Sequence, residues 1–473
     1  MTLPSDCSVG LFTDLYQLRM MQGYFLRGQH DTPCVFHYFF RNNPFGGGYV
    51  VFAGLSDLLA QLDTCLFDED SLTYLSEQGF DSSFVDYLRD FRFQGTVLSV
   101  MEGEVVFSCE PVMQIRASIF EAQWLETLLL NTINFQSLVA TKAARMRDVA
   151  KDRQLIDFGL RRAQGLGGMA ASRAAIIGGF VGTSNVAAAA RDDIPAIGTM
   201  AHAWIQTFES ELEAFHEFAT IYGDATVLLI DTYDTLQSGL PNAIAVAKAM
   251  KAKGGVLRGV RLDSGDLAYL SRQVRAGLDE AGLIDVQIIV SNQLDEYLID
   301  SLLRQQAPID VFAVGTKLVT ADQSPALDGV YKLCEYNQRP TLKLSNNIEK
   351  MTLPGRQQVY RYFDERGDFY ADAIALHHES GLTAMHHPAH AHQVCALADL
   401  EHEALLKPVF QHGEPCLQQR SLMEIAQDSL VRRQSLPSEY RRFENPHAYK
   451  VGISRDLMQL RDELMASVTM KGV

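Results

Sequence analysis

Apolar positions repeat along this chain in two ways, and the repeat changes near residue 150. In the first part helical and strand periods alternate. Leu15, Leu18, Met21 and Phe25 recur at helical spacing behind a Thr13 or Asp14 cap, which predicts a helix over 11–28. The aromatic run 35–40 predicts a strand that breaks at the turn-rich 41–48 and resumes over 49–52. Leu55, Leu58, Leu59 and Leu62 mark a second helix, and 96–101 with 105–107 read as a hairpin around Glu102-Gly103-Glu104. The opening part is therefore an α+β unit with antiparallel strands. Two helical stretches follow, 117–133 and 136–152.

The second pattern is a series of continuous apolar runs at 155–159, 195–199, 226–230, 256–260, 286–290 and 310–314. Each precedes a helical segment, and the spacing is that of one βα unit. Unbroken apolar runs are what strands buried on both faces show. A doubly wound sheet and a (β/α) barrel, closed or incomplete, both satisfy this pattern. Beyond 340 the runs loosen. A hairpin is predicted from 360–363 and 369–371, a helix over 421–433 with Ser421 and Glu424 as a capping box, and a last helix over 454–467. The chain divides into 1–135, 136–345 and 346–473.

Parallel β/α folds carry their chemistry at the C-terminal strand ends. Here the six runs lead into Asp157-Phe158-Gly159-Leu160-Arg161-Arg162, Gly198-Thr199-Met200-Ala201-His202, Asp231-Thr232-Tyr233-Asp234, Arg261-Leu262-Asp263-Ser264-Gly265-Asp266, Ser291-Asn292 and Gly315-Thr316-Lys317. Any one of these reads equally well as turn chemistry. Six together point to a site. Arg161, His202 and Arg261 offer donors for phosphate or pyrophosphate. Asp231, Asp234, Asp263 and Asp266 suit sugar hydroxyls or a hydrated Mg²⁺. Gly315-Thr316 opens a helix whose free N–H groups favour a phosphate.

Composition narrows the partners. The chain has 473 residues and a formal net charge of -17, which argues against nucleic acid or an anionic membrane. No apolar run approaches the ~20 residues of a membrane span, and the first residues lack a secretory signal pattern. Cys7, Cys34, Cys65, Cys109, Cys334, Cys395 and Cys416 are scattered and form no C-x-x-C pair, so they read as reduced thiols of a cytoplasmic protein.

Two competing motifs are set aside. Gly165-Leu166-Gly167-Gly168-Met169-Ala170 fits the dinucleotide fingerprint, but Arg161-Arg162-Ala163-Gln164 separate it from its strand, and His202 stands where an acidic ribose ligand belongs. The cluster His377, His378, His386, His387, His390 and His392 has no standard zinc spacing and reads as a solvated loop.

Seven segments in order carry a family resemblance: Leu11-Phe12-Thr13-Asp14-Leu15-Tyr16-Gln17, Asp157 to Gly165, Gly182-Thr183-Ser184-Asn185, Gly198 to Trp204, Asp231 to Asp234, Gly259 to Asp266 and Gly329-Val330-Tyr331-Lys332-Leu333. Over roughly 11–455 the chain resembles nicotinate phosphoribosyltransferase. The resemblance implies an irregular or open (β/α) barrel, a second α+β domain built from both chain ends, and a homodimer with shared active sites. It implies that nicotinate and phosphoribosyl pyrophosphate give nicotinate mononucleotide and pyrophosphate, coupled to ATP hydrolysis, with Mg²⁺.

Carried over residue by residue, Phe158 would stack on the nicotinate ring with Tyr16 of the partner subunit opposite. Arg161, His202 and Arg261 would surround pyrophosphate. Asp263 would meet the ribose hydroxyls or metal, and Asp231 would bind substrate. Asp266 would be a water-mediated metal ligand or only a helix cap. Asn292, Gly315 and Thr316 would hold the 5′-phosphate. His202 would be the nucleophile phosphorylated by ATP; its alternative role is to hydrogen-bond pyrophosphate. Arg162 and Ser184 are candidates for the nicotinate carboxylate. Three rivals remain in view. Nicotinamide phosphoribosyltransferases place an aspartate where Ser184 stands, quinolinate phosphoribosyltransferases are shorter, and a non-catalytic metabolite-binding protein would keep the fold.

Overall fold

The structure, a computed structural model, describes residues 8–343, 352–390, 392–418 and 420–471; Cys7 and the terminal residues read above lie outside them. Two compact units emerge, Lys142–Asp322 and a second made of Met1–Thr141 with Gln323–Val473. The stretch 323–345, grouped with the barrel on periodicity, belongs with the N-terminal unit because Gly329–Tyr336 pairs antiparallel with Pro33–Phe40.

The Lys142–Asp322 unit is built on parallel strands at Gln154–Asp157, Gly182–Thr183, Val227–Leu229, Gly259–Leu262, Gln287–Val290 and Val311–Val314. The last strand in sequence lies beside the first: Val311–Val314 pairs with Gln154–Asp157. Ala196 bridges Thr183 beyond the edge strand. Among the described residues no ladder joins Ala196 to Val227–Leu229, so the curled sheet is an open barrel. The 195–199 run thus makes one bridge rather than a strand. Gly182–Thr183, a polar pair with no apolar run, takes the position beside Gln154–Asp157. The 256–260 run is also shifted. Pairing starts at Gly259, so Arg261 lies inside the strand with Leu229 and Ile289 as neighbours.

In the other unit, Pro33–Phe40 sits between Gly329–Tyr336 and Met113–Ser118 in a seven-stranded sheet that also takes in Lys407–Gln411. Both chain ends therefore supply one sheet. Aromatic and β-branched side chains suit a central strand buried on both faces. The 96–101/105–107 hairpin does not form. Thr96–Ser99 pairs with Met113–Ser118 and Val105–Val106 with Val50–Val51, since longer-range partners bury both segments. The two helical stretches at 117–152 are one helix, Ile119–Ala150. Asn134, at the expected break, does not compete for the backbone; its Oδ1 accepts the Tyr38 hydroxyl at 2.8 Å.

The predicted hairpin forms from Gln357–Phe363 and Phe369–Leu376, and the Ser421 capping box starts Leu422–Gln434. At the hairpin centre Arg361 is fully buried. Its guanidinium meets Asp372 at 2.6 and 2.9 Å, Glu104 at 2.6 Å and the Val105 carbonyl at 2.8 Å. Removing one partner of such a buried pair leaves uncompensated charge. Arg361→Ala is expected to destabilise this unit by about 3–5 kcal/mol. A denaturation midpoint unchanged from wild type would contradict this.

Candidate active site

Arg261 reaches into the barrel interior beneath the strand ends. Its side chain is 9% exposed, and each guanidinium nitrogen has a partner. Nε donates to Ser291 Oγ (3.0 Å), Nη1 to Thr199 Oγ1 (2.9 Å) and the Met200 carbonyl (3.3 Å), and Nη2 to Asp263 Oδ1 (3.0 Å). The guanidinium carbon lies 5.4 Å from the Phe158 ring centroid. Two strand ends and the Thr199–Met200 segment are tied through one cation.

Asp263 uses its inner oxygen for Arg261 and the Ser291 hydroxyl, leaving Oδ2 toward the opening. Asp231, with a side chain 2% exposed, accepts Asp263 N–H at 2.8 Å and the Ser264 hydroxyl at 2.7 Å through Oδ2. Its Oδ1 is buried with no hydrogen-bond partner. His202 faces both carboxylates: Nε2 is 3.9 Å from Asp231 Oδ1 and 3.9 Å from Asp263 Oδ2, while Nδ1 is 3.1 Å from Thr232 Oγ1. His202, Asp231, Arg261 and Asp263 thus form one cluster.

The turn after Asp263 needs glycine, because Gly265 has φ +80°. The next two acidic residues serve the backbone. Asp266 caps Leu267–Glu280 by accepting Tyr269 N–H at 3.0 Å, and Asp234 accepts Leu236 and Gln237 N–H at 3.0 and 2.7 Å. Of the two readings of Asp266 the structure displays the cap, and Asp234 Oδ1 is likewise engaged. Both start helices, where a carboxylate satisfies orphan N–H groups.

On the other side of the strand ends, Asp157 is fully buried. Its Oδ1 accepts Gly159 N–H (2.8 Å), and its Oδ2 accepts the Ser172 and Thr183 hydroxyls (2.7 Å each). Burial pushes its pKa up, and these three hydrogen bonds pull it back. Its carbonyl accepts Ser184 N–H at 2.8 Å. Gly159 must be glycine here, since a Cβ would meet Val319 Cγ1 at 2.0 Å. Phe158 follows directly, part-buried against Ile156, Val227, Ile289, Val311 and Ala313.

Gly315 follows the strand neighbouring Asp157, and a Cβ there would lie 3.2 Å from the Phe158 carbonyl. Thr316 begins the short helix Thr316–Val319. Asn292, after the next strand over, holds φ +90°, a conformation Asn tolerates better than most residues. Arg161 and Arg162 are exposed on the turn Leu160–Arg162, outside the Arg261 cluster. Tyr16 belongs to the other unit, half exposed on Leu15–Leu26, where it lines a cavity of about 350 Å³ with Asp14, Thr127 and Asn134. The histidines of 377–392 lie in that unit too, with the His387 and His390 rings stacked at 4.9 Å. Among the described residues no group of His, Cys, Asp and Glu has metal-binding geometry. No helix there is long and apolar enough to cross a membrane, and Cys34, Cys65, Cys334, Cys395 and Cys416 are free thiols.

Residue-type reasoning passed over Thr199, Thr232, Ser291, Ser172, Thr183 and the carboxylate of Asp157. The available signal was a hydroxyl residue within three of the six groups that follow the apolar runs, in Gly198-Thr199, Asp231-Thr232 and Ser291-Asn292.

Comparisons with known proteins bear on the whole chain. The nicotinate phosphoribosyltransferase N-terminal domain matches residues 11–134, and the C-terminal domain of the same family matches 356–461. The chain is 43% identical to a nicotinate phosphoribosyltransferase of Bacillus subtilis over 95% of this chain and 94% of that protein. It is 33% identical to the human protein of that name, covering 96% of each. The crystal structure of human nicotinic acid phosphoribosyltransferase is similar with a TM-score of 0.86 and 30% identity, over 96% of this chain and 100% of that one. A nicotinate-nucleotide pyrophosphorylase from Pyrococcus furiosus, at 24% identity and a TM-score of 0.72, shares the fold.

If Asp266 only caps its helix, Asp266→Ala should lower stability by about 1 kcal/mol and leave turnover within twofold of wild type. Thermal denaturation and a steady-state assay check both halves; a loss of turnover tenfold or greater would restore it to the site.

Proposed function

The chain belongs to the nicotinate phosphoribosyltransferase family, and we propose that it transfers the phosphoribosyl group of phosphoribosyl pyrophosphate to nicotinate, coupled to ATP hydrolysis, in NAD biosynthesis. The products are nicotinate mononucleotide and pyrophosphate. The observation that carries this reading is the cluster of Arg261, Asp263, Asp231 and His202 at the open ends of the parallel strands.

Glycosyl transfer passes through an oxocarbenium-like state in which the leaving pyrophosphate gains negative charge. Cations held in place before reaction lower that barrier, because no reorganisation is needed when the charge appears. Arg261 is such a group, fixed by Ser291, Thr199 and Met200. Arg161 and His202 complete the pyrophosphate site. Asp263 and Asp231 face the ribose. Gly315, Thr316 and Asn292 hold the 5′-phosphate, and the lack of a side chain at Gly315 lets the phosphate approach the backbone.

Phe158 stacks on the nicotinate ring, and Tyr16 of the partner subunit covers its other face in a homodimer. Ser184 and Arg162 meet the carboxylate. Ser184 is uncharged and so does not repel it, which favours nicotinate over nicotinamide.

The oxygen donors suit Mg²⁺, a hard cation. Asp263 Oδ2 faces the opening and the buried Asp231 Oδ1 lacks a hydrogen-bond partner. Asp263 would hold the hydrated ion through water, and its charge would neutralise pyrophosphate oxygens. His202 is the phosphoryl acceptor: a ring nitrogen attacks the γ-phosphorus of ATP, ADP leaves, and water later hydrolyses the phosphohistidine. Its part-exposed ring supports this role, and a phosphoryl group there would alter the charge met by pyrophosphate.

Product is expected from nicotinate, phosphoribosyl pyrophosphate and Mg²⁺, with ATP raising the yield. Formation from nicotinamide but not nicotinate would sink the reading. His202→Ala is expected to abolish ATP hydrolysis and ATP stimulation while leaving slow transfer. An ATPase that survives the substitution removes the phosphohistidine role alone.

A further inference from the structure

In the reading above the nicotinate slot is bordered by Phe158 and Ser184. Both depend on a residue that touches neither the ring nor solvent. We propose that Asp157 is a positioning residue which sets the spacing of Phe158 and Ser184, and thereby controls nicotinate affinity and its discrimination from nicotinamide. The inference rests on the assignment of those two residues to the slot.

Asp157 ends the strand Gln154–Asp157 and is fully buried. Its charge is met by three donors, each from a different segment. Gly159 N–H comes from the turn that carries Phe158, the Ser172 hydroxyl from the helix Gly167–Ile177, and the Thr183 hydroxyl from the strand Gly182–Thr183. The Asp157 carbonyl takes Ser184 N–H as well, at 2.8 Å. One residue therefore joins the segment bearing Phe158 to the segment bearing Ser184.

The hydroxyls meet this carboxylate within a small network. Ser172 Oγ lies 3.2 Å from Asn185 Nδ2 and 3.0 Å from the Gly168 carbonyl, and Thr183 Oγ1 accepts Asn185 N–H at 3.0 Å. An asparagine at 157 can turn its oxygen to only one side, so its amide donor opposes either Gly159 N–H or the two hydroxyls. An apolar residue would strand Gly159 N–H and remove the acceptor that both hydroxyls share. The turn and the Thr183–Ser184 step must then shift. Arg261 takes its partners from Ser291, Thr199, Met200 and Asp263, none of which bonds to Asp157, so that cation stays in place, whereas Arg161 rides on the turn that carries Phe158.

The test is steady-state kinetics of Asp157→Asn with both substrates and both pyridines. KM for nicotinate is expected to rise about tenfold or more, since sub-ångström misplacement suffices for that. The kcat at saturation should stay within about twofold, and KM for phosphoribosyl pyrophosphate, which meets Arg161 on the same turn, should rise less than KM for nicotinate. The preference for nicotinate over nicotinamide should shrink by a similar factor. A KM for nicotinate within twofold of wild type overturns the proposal, as does an equal loss in kcat and in both KM values.

Should Asp157→Asn fail to fold, Thr183→Val removes one donor and keeps the charge. It is expected to show the same split at about three- to fivefold, and an unchanged nicotinate KM overturns the proposal. Wild-type protein unable to use nicotinate would instead defeat the functional reading.

Discussion

A guanidinium buried inside a parallel sheet is the constraint around which the catalytic unit is arranged. Taking a cation out of water costs several kcal/mol unless each donor is satisfied. Arg261 meets that condition by drawing on three segments at once: the Ser291 hydroxyl, the Thr199 hydroxyl with the Met200 carbonyl, and the Asp263 carboxylate. The arrangement holds a positive charge still at the open ends of the parallel strands. Weakening any partner loosens the cation and the rim together.

The acidic residues of the same rim divide their work. Asp234 and Asp266 give their oxygens to helix starts, while Asp231 uses one oxygen to hold the Asp263–Ser264 backbone. Only Asp231 Oδ1 and Asp263 Oδ2 remain turned toward His202. The N–H groups at those helix starts and turns stabilise much of this negative charge in place.

What the sequence made legible follows from periodicity. Continuous apolar runs marked five of the six parallel strands, and His202, Asp231, Arg261 and Asp263, read near their ends, come together in one cluster. The errors share a cause as well. Gly182–Thr183 carries no apolar signal, because its place in the sheet is secured by hydrogen bonds from Thr183 to Asp157 and to the Pro195 carbonyl, and from Ile197 N–H to Thr183. The short segments at 96–101 and 105–107 looked like a hairpin because local turn chemistry is all that a sequence displays, whereas their partners lie elsewhere in the chain. Asp266 and Asp263 are indistinguishable by residue type, and only backbone geometry assigns one to a cap and the other to Arg261.

The pairing of Pro33–Phe40 with Gly329–Tyr336 bears on biosynthesis. This aromatic, central strand leaves the ribosome early, and one of its two hydrogen-bonded neighbours is encoded almost 290 residues later. At about 5–20 residues per second, that edge waits roughly 15–60 s for its partner. An apolar strand with a bare row of backbone donors and acceptors is a template for pairing between nascent chains. The N-terminal unit therefore depends, while it is being made, on whatever shields that edge until the chain returns to cover it.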